Sequence, residues 1–136
     1  MSALDTDALE LALGTLQDAV RVYDAHGGPE DEALLLRDGL IQRFEYVYEL
    51  AWKLMQRWIA LNVNPESAVP TWTRRELFRL AAEHGLLRQP ADWFVFAEAR
   101  HLSAHTYNPV HADKALLAAR AMIPEALFLL ERLRHG

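Results

Sequence analysis

Hydrophobic residues recur along the chain with the spacing of amphipathic helices, and no segment has the alternating pattern typical of a β-strand. The clearest example is the segment of residues 32–61. Its apolar positions recur at steps of three and four, which places these side chains on one face: Leu40, Phe44, Val47, Ala51, Leu54 and Trp58. Further apolar residues widen this face beyond what one neighbouring helix covers. The pattern predicts a helix that is central in a bundle or lies partly at a subunit interface.

Local start and stop signals predict a first helix over residues 3–25 and a short third helix near the middle of the chain. Ser2 and Asp5 form an S-x-x-D start signal for the first helix, and a Gly-Gly-Pro segment ends it. The third helix begins with a capping box at residues 73–76 and ends at Gly85, where glycine suits the residue after the last helical turn.

The last part of the chain predicts two more helices. A fourth helix is expected over residues 91–105, where Asn108 and Pro109 end it and also begin a fifth helix. Pro124 should kink the fifth helix. The sequence therefore predicts an all-α fold, an antiparallel up-and-down bundle of four to five helices that forms one domain over residues 1–136.

Composition fits a globular protein and excludes several kinds of site. Hydrophobic residues make up 51% of the chain and charged residues 24%, which are ordinary values for a domain with a buried core. The absence of cysteine excludes disulfides, thiolate metal sites and cysteine nucleophiles. The first residues lack the features of a secretory signal, and no apolar run is long enough to cross a bilayer. We therefore expect a cytoplasmic protein without membrane contact.

The net charge also limits the kinds of nucleic acid that the chain is expected to bind. The formal net charge is −5, so specific or non-specific binding to duplex DNA is not expected, because neutralisation of phosphates supplies most of that affinity. The acids are concentrated in the first 33 residues, and the remaining chain is slightly basic. A local basic groove that binds a short piece of RNA is therefore compatible with the charge.

Two groups of charged residues are interpreted as solvated helix faces. Glu45, Glu49 and Lys53 recur at steps of four on the second helix, which favours an exposed Glu–Lys pair. Arg75 and Arg79 are four residues apart on the third helix. For these arginines, the alternative to a solvated face is a surface that extends a phosphate-binding site.

One segment carries residues expected of a chemical site: Arg100-His101-Leu102-Ser103-Ala104-His105-Thr106-Tyr107. Arg100 shares a predicted helix face with apolar and small residues, so its guanidinium needs an anion, a carboxylate or a cleft. His105 lies about 140° away on an ideal helix, but a tightened last turn would bring both side chains, and the Tyr107 hydroxyl, toward one site. The structural alternative is that Arg100 pairs with a carboxylate such as Glu98 and His105 contacts the last helix carbonyls.

The spacing of Arg100, His105 and Tyr107, R-x4-H-x-Y, resembles the signature of the HEPN superfamily. The longer context, residues 93–108, resembles the nucleotidyltransferase substrate-binding branch of that superfamily, which includes HepT-like toxins. Residues 36–53 resemble the second motif of the same branch. Both motifs occur in the order, and on the predicted helices, that the branch has.

The resemblance implies a two-fold homodimer in which both R-x4-H segments face one cleft, and a minimal nucleotidyltransferase as the partner. In toxin-like members of such toxin–antitoxin pairs, the paired motifs act as a ribonuclease that needs no metal and no cofactor. Arg100 would hold the scissile phosphate, and His105 would act as general base or acid on an RNA 2′-hydroxyl. Tyr107 would accept AMP from the nucleotidyltransferase, and this AMPylation would silence the toxin.

Supporting residues and two other functions follow from the same segment. Ser103 and Thr106 are expected to shape the helix end, and His101 replaces the small polar residue usual in the family, which adds a second imidazole. One alternative function is a non-catalytic subunit that presents a nucleotide or substrate to the nucleotidyltransferase. The other is a metal site, because His101 and His105 are four residues apart and His111 follows closely, although no metal is expected.

Overall fold

The computed structural model describes residues 4–63 and 72–135, and both ranges are helical. The helices are α1 (Asp7–Ala25), α2 (Glu30–Asn62), α3 (Arg74–Glu83), α4 (Pro90–Leu102) and α5 (Pro109–His135), with a 3₁₀ turn (Ser103–His105) between α4 and α5. Neither range contains a strand. The predicted all-α helical bundle is confirmed, and α5 continues as one helix through Pro124. No helix in these two ranges is both long and apolar enough to cross a membrane.

The hydrophobic core lies around α2, which packs against each of the other four helices. Of the two predicted positions for this wide apolar face, the central one is confirmed. Phe44, Val47 and Ala51 of α2 are completely buried. On the side of α3 and α4, Trp93 packs against Phe78, with 5.9 Å between the ring centroids. Aromatic packing therefore fixes α4, which carries Arg100 of the R-x4-H motif, against the rest of the bundle.

The first helix begins later than the sequence pattern predicted, at Asp7. Asp5 is still part of the helix start, because its Oδ1 accepts a hydrogen bond from the Asp7 backbone N–H at 3.0 Å. The residue directly before α1 is Thr6, whose side chain makes no capping hydrogen bond. Ser2, the other half of the predicted signal, lies outside the described residues.

The capping box predicted for α3 is confirmed. Thr73 Oγ1 accepts a hydrogen bond from the Glu76 N–H at 3.1 Å, and the Glu76 carboxylate accepts one from the Thr73 N–H at 2.9 Å. These hydrogen bonds hold the pKa of the Glu76 carboxyl below its ordinary value, because they stabilise the charged form. Gly85 follows the helix with φ +80°, as predicted for a glycine after the last turn.

The junction between α4 and α5 is a tightened helix end. The last α-helical residue of α4 is Leu102, and the 3₁₀ turn carries the chain to His105. The Asn108 N–H donates to the His105 carbonyl at 3.1 Å, and Asn108 Oδ1 accepts from the Val110 N–H at 2.9 Å. Both the predicted tightening and the predicted role of Asn108 as N-cap are confirmed.

We expect Thr73→Ala to lower the free energy of unfolding by about 1 kcal/mol, because the Glu76 N–H loses its side-chain acceptor. Thr73→Ser retains the hydroxyl and should stay within about 0.5 kcal/mol of the wild type. Urea denaturation followed by circular dichroism measures both values. An equal loss in the two variants would contradict a stabilising cap.

Candidate functional site

An open cavity of about 470 Å³ lies where α2, α3 and α4 meet. Its lining residues are Tyr48, Glu49, Arg74, Ala97, Arg100, His101, Ala104 and His105. The cavity therefore brings together Arg100, His101 and His105 of the motif. Their approach depends on the 3₁₀ turn, which rotates His105 relative to an ideal α-helix.

Carboxylates of α2 hold the Arg100 guanidinium. Arg100 NH1 donates a hydrogen bond to Glu45 Oε2 at 3.1 Å, and Arg100 Nε lies 3.6 Å from Glu49 Oε2. The Arg100 side chain is 35% exposed, so it is neither solvated on all sides nor enclosed in the core. Its NH2 group makes no hydrogen bond to any residue of the two described ranges. The guanidinium is thus oriented by two acids and has an NH2 group available for a ligand.

Ser103 connects the end of α4 to the same carboxylate. The residue is buried, and its Oγ is in hydrogen-bond contact with Glu45 Oε2 and 2.8 Å from the Arg100 carbonyl oxygen. A hydroxyl has one proton to donate, so Ser103 serves one of these two acceptors at a time. Glu45 therefore contacts both Arg100 and the residue that begins the 3₁₀ turn.

The interpretation of Glu45 and Glu49 as a solvated face paired with Lys53 is wrong. Both carboxylates lie against Arg100, and Glu49 also accepts a hydrogen bond from Trp52 Nε1 at 3.2 Å. The Lys53 ammonium instead lies over the Trp52 ring, 5.7 Å from its centroid. The physical reason is the width of the packed face of α2, which places acids at its edge in contact with α4. The spacing of the two acids was visible in the sequence, but their partner Arg100 is 55 residues from Glu45 and is brought to them only by helix packing.

His105 and Tyr107 form a pair at the rim of the cavity. Tyr107 Oη lies 3.3 Å from His105 Nδ1, and the two rings meet edge to face with their centroids 5.7 Å apart. The His105 side chain is exposed, and Tyr107 is 84% exposed. Because the contact with Tyr107 occupies Nδ1, Nε2 is the imidazole nitrogen that remains for a ligand.

The remaining motif residues lie on two different sides of the turn. His101 is exposed and lines the site cavity. Thr106 instead lines a separate cavity of about 320 Å³, together with Ser103 and Glu45. The Thr106 carbonyl accepts a hydrogen bond from Arg37 NH2 at 3.4 Å. Ser103 and Thr106 thus hold the turn against α2 and do not face the site cavity.

The histidines do not assemble into a metal site. The rings of His105 and His111 are 6.3 Å apart, but no group of three or more His, Asp or Glu residues in residues 4–63 and 72–135 is arranged to hold a metal ion. The metal-binding alternative therefore has no supporting ligand set in this part of the chain.

Sequence reasoning did not single out Arg74 as part of the site. Its guanidinium carbon lies 3.4 Å from the centroid of the Trp52 ring, and its side chain lines the same cavity as Arg100. Burial raises the pKa of Tyr48 on the cavity wall above the ordinary phenol value, while the Arg74 charge opposes this rise. No local pattern marked Arg74, because its place in the site depends on how α3 packs against α2.

Comparison with known proteins gave matches over nearly the whole chain. Residues 4–135 match the family model described as nucleotidyltransferase substrate binding protein like. The chain is 26% identical to the probable ribonuclease HepT of Haemophilus influenzae, over 97% of this chain and 93% of that protein.

Two solved structures are similar as well. One is a Haemophilus influenzae protein described as having the fold of a substrate binding domain of a nucleotidyltransferase. It has a TM-score of 0.87, is 26% identical, and the match covers 96% of this chain and 99% of that one. A protein of Thermus thermophilus has a TM-score of 0.74 and 30% identity, over 93% and 98% of the two chains.

A double-mutant cycle should detect the contact between Arg100 and Glu45. We expect Arg100→Ala and Glu45→Ala to be coupled by about 1 kcal/mol in the free energy of unfolding, because removal of either side chain takes the nearest opposite charge away from a half-buried group. The control is the exposed pair Arg21–Asp18, with side chains 70% and 65% exposed, for which we expect less than about 0.5 kcal/mol. Denaturation of the single and double variants gives both values. Additive effects at Arg100 and Glu45 would contradict the ion pair.

Proposed function

The chain belongs to the nucleotidyltransferase substrate binding protein-like family, and we propose that it acts beside a nucleotidyltransferase partner as a ribonuclease that uses no metal ion. The observation that carries this proposal is that Arg100 and His105 line one open cavity, which is large enough for a phosphodiester and its adjoining sugars. The similarity to a probable ribonuclease over nearly the full length of both chains supports it.

Arg100 would bind the scissile phosphate. Glu45 and Glu49 fix the guanidinium in place, so little side-chain freedom is lost when a phosphate oxygen approaches the NH2 group. The two carboxylates also offset the charge of Arg100. Arg74, which lines the same cavity, would contribute the further positive charge that stabilises the developing phosphorane.

His105 would transfer the proton that starts the reaction. Its Nε2 would accept the proton of the RNA 2′-hydroxyl as the 2′-oxygen forms a bond to the adjacent phosphorus. The bond from phosphorus to the 5′-oxygen then breaks, and the leaving 5′-oxygen takes up a proton from an acid. An imidazole suits both steps because its ordinary pKa is near neutrality. The products would be a 2′,3′-cyclic phosphate and a 5′-hydroxyl.

A homodimer would supply the second proton-transfer group. One chain offers His105 as the motif imidazole, and a two-fold axis beside the cavity would bring the partner's copy to the same phosphate. An apolar surface that a second copy could cover lies along α4 and α5, around a cavity of about 660 Å³. Val95, Val110 and Leu117 on these helices are all more than half exposed. His101, in the same site cavity, is the other available imidazole.

Adenylylation of Tyr107 would silence this site. The exposed phenol oxygen would attack the α-phosphate of ATP bound to the nucleotidyltransferase, and pyrophosphate would leave. Because Tyr107 Oη is 3.3 Å from His105 Nδ1, the attached phosphate would contact the imidazole directly. The phosphate would hold the imidazole ring and block the rim of the cavity. The contact between Tyr107 and His105 would therefore make the activity of His105 sensitive to modification of Tyr107.

A second candidate function is a non-catalytic subunit that binds a nucleotide or substrate for the nucleotidyltransferase. It is favoured by the ion pairs of Arg100, since a guanidinium already paired with Glu45 and Glu49 suits a binding site whose charge is nearly balanced. The similar solved structure described as a substrate binding domain also favours it. A cleavage assay separates the two functions, because a binding subunit would leave RNA intact.

Arg100→Ala and His105→Ala should each abolish cleavage of total RNA by the purified chain, while circular dichroism and sedimentation show an unchanged fold and oligomer. The controls Arg21→Ala and His135→Ala remove exposed residues outside the cavity and should cleave at the wild-type rate. Addition of EDTA should not reduce the rate. Equal cleavage by wild type and all four variants would exclude this site as the origin of the activity.

Incubation with the cognate nucleotidyltransferase and ATP should raise the mass of the wild-type chain by whole adenylate units and stop RNA cleavage. Tyr107→Phe should gain no mass, because it lacks the acceptor oxygen. Tyr46→Phe is the matched control, since Tyr46 is another exposed tyrosine, at 54%, and this variant should be modified normally. Intact-mass spectrometry gives the result, and an unmodified wild type would exclude the acceptor role.

A further inference from the structure

Three arginines of α3 have no carboxylate partner in the described residues. Six other arginines form ion pairs with Asp or Glu: Arg21, Arg37, Arg88, Arg100, Arg120 and Arg134. In contrast, the side chains of Arg74, Arg75 and Arg79 are exposed and make no ion pair within residues 4–63 and 72–135. We call these three residues the arginine strip.

Aromatic rings hold the arginine strip in place. Arg74 lies over Trp52 with 3.4 Å from guanidinium carbon to ring centroid, and Arg75 and Arg79 lie over Phe94 at 4.8 Å and 5.8 Å. A ring orients a planar guanidinium but, unlike a carboxylate, does not neutralise its charge. The N–H groups at the edge of each guanidinium therefore remain available for an anion.

The arginine strip continues directly from the site cavity. Arg74 and Ala97 line both the site cavity and a neighbouring cavity of about 220 Å³. The wall of this second cavity includes Arg75 and Phe94. One acid, Glu98, also lines it, so the arginines outnumber the acids there. If one phosphate of a polyanionic strand lies in the site cavity, the next phosphates of that strand would lie beside these arginines.

We propose that the arginine strip is a subsite for the phosphate backbone of single-stranded RNA, whose neighbouring phosphodiester lies between Arg100 and His105. The inference rests on the proposed function for the identity of the site cavity as the place of reaction. Guanidinium groups bind phosphate oxygens through paired N–H donors, and such contacts position a strand without reading its sequence.

Single-stranded RNA fits this surface better than two other polyanions. A duplex needs many phosphate contacts to bind a protein of net charge −5, and the strip supplies three. An acidic protein surface could pair with the arginines, but it would not use a continuous path from Arg74 into a cavity that holds a free imidazole. The strip would therefore set the direction in which the strand enters and favour RNA with several nucleotides beside the cleaved bond.

The test is binding of a fluorescent 2′-O-methyl oligoribonucleotide of about ten nucleotides, which lacks the attacking hydroxyl and stays intact. Arg75→Gln with Arg79→Gln should weaken binding at least about ten-fold. The slope of log K against log salt concentration should fall by about 0.7 for each lost phosphate contact, or about 1.4 for both. The charge-matched control is Arg21→Gln with Arg120→Gln, which removes two exposed arginines that already have carboxylate partners. This control variant should change neither the affinity for the oligonucleotide nor the slope of its salt dependence.

Arg75→Lys with Arg79→Lys retains the charges and should recover most of the salt dependence, which a merely structural role would not explain. Unchanged affinity and slope in the double Gln variant would overturn the proposal. So would weakened binding of the nucleotidyltransferase with unchanged oligonucleotide affinity, since the strip would then be a protein contact. If wild type binds the oligonucleotide through the strip but does not cleave unmodified RNA, the subsite stands and the ribonuclease function fails.

Discussion

The contact between Arg100 of α4 and the two carboxylates of α2 is the constraint on which the site depends. The guanidinium is only 35% exposed, and Glu45 and Glu49 supply it with opposite charges. Glu45 also binds Ser103, so one carboxylate fixes both the arginine and the start of the 3₁₀ turn. That turn sets the direction of His105. An acid on a different helix thus contacts the turn that carries the imidazole.

Positive charge is distributed unequally over the proposed RNA path. At the proposed reacting centre Arg100 is oriented and its charge largely balanced by acids, which favours accurate placement over strong attraction. On α3 the arginines are oriented by Trp52 and Phe94 and keep their full charge. In our proposals, affinity for the strand would come mainly from α3 and the chemistry from Arg100 and His105. The separation would allow a protein with a net negative charge to bind a polyanion locally.

Whether an interaction could be predicted from the sequence depends on how far apart its residues are along the chain. The capping box at Thr73 and the N-cap at Asn108 depend on residues two or three positions away, and both predictions are confirmed. The wide apolar face of α2 predicted either a central helix or a subunit interface, and the central position is confirmed. Glu45, Glu49 and Arg74 were missed because their partners are distant in the chain, for example 55 residues between Arg100 and Glu45. Only packing of the helices brings these charges together.

The most direct test of the account is a crystal structure of the chain with a bound 2′-O-methyl oligoribonucleotide. We expect one phosphate in the site cavity, with an oxygen in hydrogen-bond contact with Arg100 NH2 and the neighbouring 2′-oxygen close to His105 Nε2. Glu45 should remain bound to Arg100 in this complex. An oligonucleotide bound elsewhere, with the cavity free of phosphate and Arg100 still held only by its carboxylates, would contradict it.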